Sequence, residues 1–444
     1  MSKKKNSSDQ KQSTTVVVDG IYDAKSLGVP KVTMLGLQHM FAMFGATILV
    51  PMLTGLDVST TLLCAGLGTL LFHLLTKRKV PAFLGSSFAF LPGYFAIAPN
   101  GEKELLPYAC VGVACAGLLY LLLAGLIKVF GSGKVMKFFP PIVTGPIIIA
   151  IGLTLSQSAI DSCSTNWQIA LVAIALIVAC NIWGKGMVRI VPIIMGVIGS
   201  YLVAVVTGQV DFTEVIDAAW VGLPIHFERT AFWAFKDGNT SLLITSIITI
   251  VPIALATIVE HIGDISAISS TVGKNFIKDP GLHRTLLGDG LATSLAALFG
   301  APANTTYGEN TGVLTLTKVF DPLVIRLAAW FAILFSFCPK FAAIIGSMPS
   351  ATVGGVSLVL YGMISAVGVR NVVEAKCDFS KSRNVIIAAL ILVLSIGIKY
   401  SAAGAIVIPA GSITINLSGL AVGALVGILL NAVLPGKDYV FQED

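Results

Sequence analysis

The chain has 444 residues, of which 12% are charged and 55% hydrophobic, and its mean hydropathy is +0.88. Soluble domains carry about 25% charged residues, so the composition excludes a soluble enzyme, a disordered chain and a nucleic-acid-binding protein. The 44 glycines suit helices that approach each other closely in lipid. We therefore expect an all-α polytopic membrane protein.

Fourteen segments qualify as membrane spans, since a helix needs about 20 mostly apolar residues to cross a bilayer. They are residues 33–53, 59–76, 81–98, 106–130, 139–160, 167–184, 188–207, 241–269, 283–300, 302–317, 322–346, 350–368, 384–400 and 412–434. Spans 3 and 10 are short, polar and interrupted by Pro and Gly. We expect each of these two to be a short β-strand followed by a half-helix.

The positive charges orient the chain. With fourteen crossings and the first residues inside, most of the 29 Lys and Arg residues face the cytoplasm, as the positive-inside rule expects. Omitting either weak span would invert every later loop and destroy this asymmetry. The net charge of +6 is then explained by orientation and by contact with anionic lipid. We predict cytoplasmic tails at 1–32 and 435–444 and an extracellular connection at 208–239.

The two halves of the chain carry traces of a duplication. Pro81-Ala82 followed by Ser86-Ser87-Phe88 corresponds to Pro302-Ala303 followed by Thr305-Thr306-Tyr307. Gln38-His39 in span 1 corresponds to Glu260-His261 in span 8. Because each half has seven crossings, the second half is inverted relative to the first. Paired, interrupted segments in inverted repeats are typical of secondary transporters. The half-helix starts, with their unpaired N–H groups, are expected at Phe88 and Gly308 and form candidate binding positions.

Acidic residues within the spans are the main candidates for function. A charge at the bilayer centre costs about 2.5–3.5 kcal/mol, so an unexplained acid there is a functional candidate. Glu260 and Asp264 lie one turn apart on one helix face, and their repulsion would make one proton easy to gain or lose. Glu309, at the start of a half-helix, is a further candidate, and its alternative role is a cap favoured by the helix dipole.

Other polar and aromatic residues in the spans have more ordinary interpretations. Asp289, between two glycines, is expected to make an interhelical hydrogen bond, and His39 and His261 are interpreted as packing residues rather than proton relays. Phe88 and Tyr307 occupy matching positions in the two repeats. This match favours contact with a ligand over simple core packing.

Several stretches together resemble the nucleobase-ascorbate transporter family. They are LQHMFAMFGATILVP in span 1, VPAFLGSSFAF at 80–90, IVEHIGD at 258–264, DPGLHR at 279–284 and NTTYGENTGVLTLTK at 304–318. The resemblance extends from about residue 30 to 435. Glu309 and Lys318, at the two ends of the signature, resemble the uracil branch rather than the purine branch.

The resemblance implies a core domain and a gate domain built from both repeats. The core domain comprises 33–131 (spans 1–4) and 240–348 (spans 8–11), and the gate domain comprises 139–207 (spans 5–7) and 349–434 (spans 12–14). It also implies a homodimer in the bacterial cytoplasmic membrane, with uracil as substrate, the proton as coupling ion and no other cofactor. The residues that match the family's substrate-binding positions are Glu260, Glu309, Phe88, Gly308, Tyr307, Ala46 and Tyr361.

One departure bears on the proton. Some members of the family have His where this chain has Asp264. Our hypothesis is that the coupling proton resides on Asp264 or is shared with Glu260. The transporter would then change between its inward and outward conformations more readily when it is empty or holds both substrate and proton than when it holds only one of them. The alternatives to uracil import are a xanthine or urate permease of the same family and, with less support, an anion transporter of the same architecture. An intramembrane enzyme is the weakest reading, because no metal-ligand motif accompanies the acids.

Overall fold

The computed structural model describes residues 20–236, 238–410 and 413–436. Within these ranges the structure does not describe seven side chains, those of Ala46, Met187, Ile190, Glu309, Ala410, Ile413 and Thr414. The predicted cytoplasmic positions of the two chain ends fall on residues 1–19 and 437–444, which are also outside it. The predictions for those ends therefore stay predictions.

The described chain is mostly helical. Its α-helices are α1 (Val29–Thr54), α2 (Val58–Leu75), α3 (Leu91–Ile97), α4 (Leu106–Phe130), α5 (Ser132–Met136), α6 (Pro141–Ser164), α7 (Trp167–Trp183), α8 (Met187–Ile190), α9 (Pro192–Val206), α10 (Thr213–Asp217), α11 (Thr240–Ile250), α12 (Ala254–Val272), α13 (Leu282–Leu298), α14 (Gly308–Thr317), α15 (Pro322–Ser336), α16 (Pro339–Gly346), α17 (Ser350–Glu374), α18 (Ser382–Lys399) and α19 (Gly419–Val433). The strands are β1 (Leu84–Ser86), β2 (Asn304–Thr306), β3 (Ala405–Ala410) and β4 (Ile413–Ser418). Short 3-10 helices span Ala24–Leu27, Phe88–Phe90, Phe227–Arg229, Ala231–Phe235 and Val251–Ile253.

Seven helical segments within the described ranges are long and apolar enough to cross a membrane, counting Thr240–Val272 as one. The bent pair α15 and α16 would be an eighth. Four shorter apolar helices are Phe88–Ile97, Trp167–Trp183, Pro192–Val206 and Gly419–Val433. The polytopic helical fold that the composition predicts is thus confirmed, while the count of fourteen crossings remains a prediction.

Spans 11 and 14 differ from the predicted uninterrupted helices. Span 11 (322–346) is broken between α15 and α16, which meet at 87°. Pro339 begins the second helix, and a proline cannot donate the hydrogen bond that would continue the first. Span 14 (412–434) is helical only from Gly419, because 413–418 forms β4 and pairs with β3 from Ala405↔Ser418 to Ala410↔Ile413. The β-branched residues of β3 and β4 favour this hairpin over a helix.

Helices of the two repeats pack against each other. In one group α4 packs on α13, and α2 packs on α13 and α15; in the other α6 packs on α17 and α18, and α18 packs on α19. Each group therefore draws on both halves of the sequence. The assignment of these groups to a core and a gate domain remains a prediction.

The end of the predicted N-terminal tail is bound to the helical bundle. Residues 20–27, here called the strap, form a parallel bridge in which the Ile21 N–H donates to the Lys318 carbonyl and the Phe320 N–H donates to the Ile21 carbonyl, both at 2.8 Å. The Ala24 N–H donates to Asp321 Oδ2 at 2.8 Å, and the Tyr22 hydroxyl donates to the Val272 carbonyl at 2.7 Å. The strap thus connects the loop after α14 with the end of α12.

Asp321→Ala is expected to lower the free energy of unfolding by about 0.5–2 kcal/mol, the usual cost of losing an N-cap. Asp321 accepts from the Leu323 N–H at the start of α15 (2.9 Å) and also holds the strap through Ala24. The measurement is the thermal midpoint of the detergent-purified protein. Asp211→Ala is the matched control, because Asp211 is exposed and its hydrogen bonds go to Thr213 alone within the described structure. Equal shifts for both variants would contradict a special role of Asp321.

Candidate functional site

Two short strands from the two repeats cross at the centre of the site. β1 and β2 pair antiparallel in the register Leu84↔Thr306, Gly85↔Thr305 and Ser86↔Asn304. Two more bonds extend the pairing, from the Ser87 N–H to the Ala303 carbonyl (2.9 Å) and from the Tyr307 N–H to the Phe83 carbonyl (3.0 Å). The interrupted spans 3 and 10 are therefore strand-and-half-helix units, as the Pro and Gly pattern predicts.

Both half-helices begin at the predicted residues. The 3-10 turn that leads into α3 starts at Phe88, and α14 starts at Gly308. Because the strands are antiparallel and each is followed at once by its helix, the two helix starts flank the crossing. Free N–H groups and the positive end of the helix dipole make such starts suitable for hydrogen-bond acceptors.

The crossing is compact because Gly85 lacks a side chain. A Cβ atom on Gly85 would lie 2.6 Å from Thr47 Oγ1 and 2.7 Å from two ring carbons of Tyr307. The Tyr307 ring is buried, and its hydroxyl donates to the Ser86 carbonyl at 2.8 Å and accepts from Thr47 Oγ1 at 3.2 Å. Tyr307 thus clamps the two strands, a contact that the sequence prediction of a pocket-lining residue did not include.

Helix α12 brings its acids to the crossing. It packs on the 3-10 turn at Phe88–Phe90, on β2 and on α14. Thr306 Oγ1 donates to Asp264 Oδ2 at 3.1 Å, and Asp264 Oδ1 lies 3.3 Å from the position that a Cβ of Gly308 would occupy. The Asp264 carboxylate is therefore at the start of α14, where the helix dipole favours negative charge.

The structure describes Glu260 as a whole residue but only the backbone of Glu309. Glu260 lies one turn before Asp264 on α12 and is partly buried. Glu309 is the second residue of α14, and its backbone places it at the helix start. The side chains of Glu309 and Ala46 are outside the described part of the chain, so their predicted pocket positions remain predictions.

Two aromatic rings meet beside the start of the first half-helix. The rings of Phe88 and Tyr361 are edge-to-face, with centroids 5.3 Å apart and planes at 82°. Both side chains are buried, and Tyr361 belongs to α17. The structure therefore brings a residue of the third segment into contact with a residue of α17, next to the strand crossing. Edge-to-face contact of this kind leaves a ring face for other partners.

A second polar cluster lies on the other side of β2. His261 of α12 and Asp289 of α13, both fully buried, are in direct contact through His261 Nδ1 and Asp289 Oδ2. Thr306 Oγ1 lies 3.2 Å from His261 Nδ1, and Thr305 Oγ1 donates to Asp289 Oδ2 at 3.3 Å. Asp289 therefore links helices, as its glycine neighbours suggest. His261, interpreted from the sequence as a packing residue, is buried with partners at both ring nitrogens.

The other intramembrane histidine also contacts the tenth segment. Asn310 Nδ2 of α14 is 3.2 Å from His39 Nδ1 and 3.2 Å from the His39 carbonyl of α1. Both side chains are buried. His39 thus helps to position the half-helix that carries Glu309.

A cavity of about 310 Å³ lies elsewhere, between α3, α6, α11 and the β3–β4 hairpin. Its lining includes Phe95, Thr154, Thr249, Lys399 and Asn416 but none of the predicted site residues. We therefore keep the strand crossing, and not this cavity, as the candidate site.

Sequence reasoning missed the hydroxyl groups that bond the strand crossing to its neighbouring helices. They belong to Thr47, Ser86, Thr305 and Thr306, whose bonds involve β1, β2, α1, α12 and α13. The runs SS at 86–87 and TT at 305–306 served only as repeat markers. Consecutive hydroxyl residues inside an apolar span are a signal that could have identified them, because a buried hydroxyl needs a partner.

Comparison with known proteins gives the family. Residues 30–404 match the Permease family. The chain is 41% identical over 415 residues to a uracil permease of Bacillus subtilis, covering 90% of this chain and 91% of that protein. It is 42% identical over 424 residues to a uracil permease of Bacillus caldolyticus, covering 92% and 94%.

Among solved structures, the fold is similar to that of the transmembrane domain of a cyanobacterium bicarbonate transporter, BicA. The TM-score is 0.63 at 14% identity, and the alignment covers 93% of this chain and 99% of that one. This likeness establishes the architecture alone. With the match over residues 30–404 and relatives above 40% identity, the chain belongs to the Permease family, a family of membrane transporters and not of enzymes.

Proposed function

We propose that this protein imports uracil across the bacterial cytoplasmic membrane together with a proton. The observation that carries the proposal is the meeting of Asp264, the α14 start at Gly308 and the Phe88–Tyr361 ring pair around one strand crossing. The names of the relatives support uracil as the substrate. The coupling to protons rests on the acids Glu260 and Asp264, one turn apart in an apolar span.

Uracil is flat and neutral, with two N–H donors and two carbonyl acceptors. Glu260 and Glu309 would accept from the ring N–H groups. The backbone N–H groups at Phe88 and Gly308 would donate to the carbonyls, since helix starts leave such donors unpaired. The ring of Phe88 and that of Tyr361 would supply an apolar wall, as in most small-molecule sites.

The transport cycle would be alternating access. Residues 33–131 and 240–348 would form the core domain that carries the substrate, and residues 139–207 and 349–434 would form the gate domain. Tyr361 on the gate side touches Phe88 on the core side, so this contact would change as the two domains move. A proton on Asp264, or shared with Glu260, would reduce the negative charge of the loaded site.

We also place both termini in the cytoplasm, because of the distribution of Lys and Arg, and expect a homodimer.

The architecture of BicA also fits an anion transporter. An anion site would favour a cation beside the half-helices. A charged side chain inside the membrane is costly, so a buried cation is expected where it binds a ligand or has another function. The sequences of α3, α12 and α14 contain no Lys or Arg, whereas α12 and α14 contain Glu260, Asp264 and Glu309. A neutral substrate with N–H donors suits these acids better than an anion does.

The test is uptake of radiolabelled uracil into proteoliposomes with an imposed pH gradient, inside alkaline. We expect accumulation that collapses on addition of a protonophore and that excess xanthine does not inhibit. Bicarbonate in excess should also have no effect. Strong xanthine competition would move the assignment to the purine branch, and uptake indifferent to the gradient would remove the proton coupling.

A further inference from the structure

The buried pair His261–Asp289 has no part in the substrate site, yet a short path of hydrogen bonds connects it to that site. We propose that this pair stores a proton and passes it to Asp264 through the hydroxyl of Thr306. The inference rests on the proposed proton-coupled function and names residues that act behind the substrate-binding acids.

Both ring nitrogens of His261 have hydrogen-bond partners. Its Nε2 lies 3.0 Å from Thr285 Oγ1, which also lies 3.0 Å from the Leu282 carbonyl and can donate to it. A hydroxyl has one proton to donate and two lone pairs, so Thr285 can accept from a hydrogen on Nε2 while it donates to Leu282.

The other ring nitrogen faces the Asp289 carboxylate and the Thr306 hydroxyl. Nδ1 contacts the Asp289 carboxylate and lies 3.2 Å from Thr306 Oγ1, and Thr306 Oγ1 donates to Asp264 Oδ2 at 3.1 Å. In the proton-loaded form of our proposal, His261 carries hydrogen on both nitrogens and Asp289 is its counter-ion. The Thr306 hydroxyl then connects the loaded pair to Asp264.

The pair is poorly built for stability alone. A buried ion pair stabilises a fold only when its remaining polar atoms are also satisfied. Asp289 Oδ1 is buried and has no hydrogen-bond partner within the described residues. A buried carboxylate oxygen without a partner among the described residues, in a pair that the Thr306 hydroxyl joins to the partly exposed Asp264, suits exchange of a proton.

The Nδ1–H bond of His261 breaks and a new O–H bond forms at Thr306, while the original Thr306 proton passes to Asp264 Oδ2. The pair changes from net neutral to net −1, and Asp264 changes from −1 to neutral. The reverse step reloads the pair when Asp264 takes a proton from water.

Few other titratable groups surround the path. Glu260 and Asp264 lie on α12 with His261, and Tyr120 of α4 interacts electrostatically with Asp289 and Glu260 while its hydroxyl donates to Thr257 Oγ1 at 2.5 Å. From α2, the ring of Phe72 packs edge-on against the imidazole at 6.5 Å between centroids. Thr306 is thus the hydroxyl through which the described hydrogen bonds join the pair to Asp264.

The test separates proton-driven uptake from uracil exchange. Thr306→Val keeps the shape of the side chain and removes the hydroxyl. We expect it to lower accumulation driven by the pH gradient at least tenfold, while uracil binding and uracil–uracil exchange across proteoliposomes stay within about threefold of the parent. Thr306→Ser, which restores the hydroxyl, should recover accumulation, and Asp289→Asn should resemble Thr306→Val.

Thr293→Val is the matched control, because Thr293 is also a buried threonine beside β2, where it donates to the Asn304 carbonyl at 2.8 Å, but lies outside the path. It should keep gradient-driven accumulation within about threefold. If Thr306→Val accumulates uracil like the parent, or loses binding and exchange together with accumulation, the relay is wrong. If the parent itself ignores the gradient, the proposed coupling fails instead, so the two failures are distinguishable.

Discussion

Glu260→Gln is expected to weaken uracil binding by roughly 10- to 150-fold. The change keeps the size of the side chain but replaces a charged acceptor, and hydrogen bonds to charged groups contribute about 1.5–3 kcal/mol, where 1.4 kcal/mol corresponds to a factor of ten. Glu260 is carried to the crossing by α12, which packs on both half-helix starts. The measurement is equilibrium binding of radiolabelled uracil to the purified protein.

The matched control is Glu374→Gln. Glu374 is exposed at the end of α17 and bonds to Arg370 at 2.6 Å, a pair that contributes little in water. Its substitution should leave uracil binding within twofold. Uracil binding within twofold of the parent for Glu260→Gln would contradict the site assignment, whatever the effect on transport.

Glu309→Gln should weaken uracil binding to a similar extent. The double variant should lose less binding free energy than the sum of the two single losses if both acids hold one ligand.

The sequence predicts the half-helices well because their signals are local. Pro81 and Pro302 interrupt apolar spans, and the missing N–H of proline forces a break there. Both predicted starts, Phe88 and Gly308, are the first residues of helical turns in the structure. Such breaks depend on the chain within a few residues, so no tertiary information is needed.

The sequence alone does not predict which residues from distant segments contact each other. His261 and Asp289 lie on different helices, and their sequence neighbourhoods contain nothing that specifies the pairing. The same holds for the strap, where Ile21 pairs with Val319, and for the edge-to-face contact of Phe88 with Tyr361. The break at Pro339 and the β3–β4 hairpin were missed for another reason: hydropathy averages over about 20 residues and hides a change of secondary structure within an apolar run.

Gly85→Ala is expected to disrupt the strand crossing and to reduce uracil binding more than tenfold. The new methyl group would be 2.6 Å from Thr47 Oγ1 and 2.7 Å from the Tyr307 ring, distances at which atoms must move. Tyr307 is 5% exposed and its hydroxyl is held by the Ser86 carbonyl, so its ring has little room to withdraw. Overpacking of this kind costs about 1–3 kcal/mol, and here the strain falls on the residues that set the positions of Phe88 and Gly308.

The comparison with Gly125→Ala isolates this effect. Gly125 lies within α4, and a Cβ there would meet nothing within 4 Å, so the same chemical change should leave both uracil binding and the thermal midpoint unaltered or raise the midpoint slightly. Combining Gly85→Ala with Tyr307→Ala should reduce the thermal cost of the glycine substitution, because the clash with the ring is removed while that with Thr47 remains. If Gly85→Ala binds uracil like Gly125→Ala, the close approach of the two strands does not shape the binding site, and the half-helix starts must be positioned by other contacts.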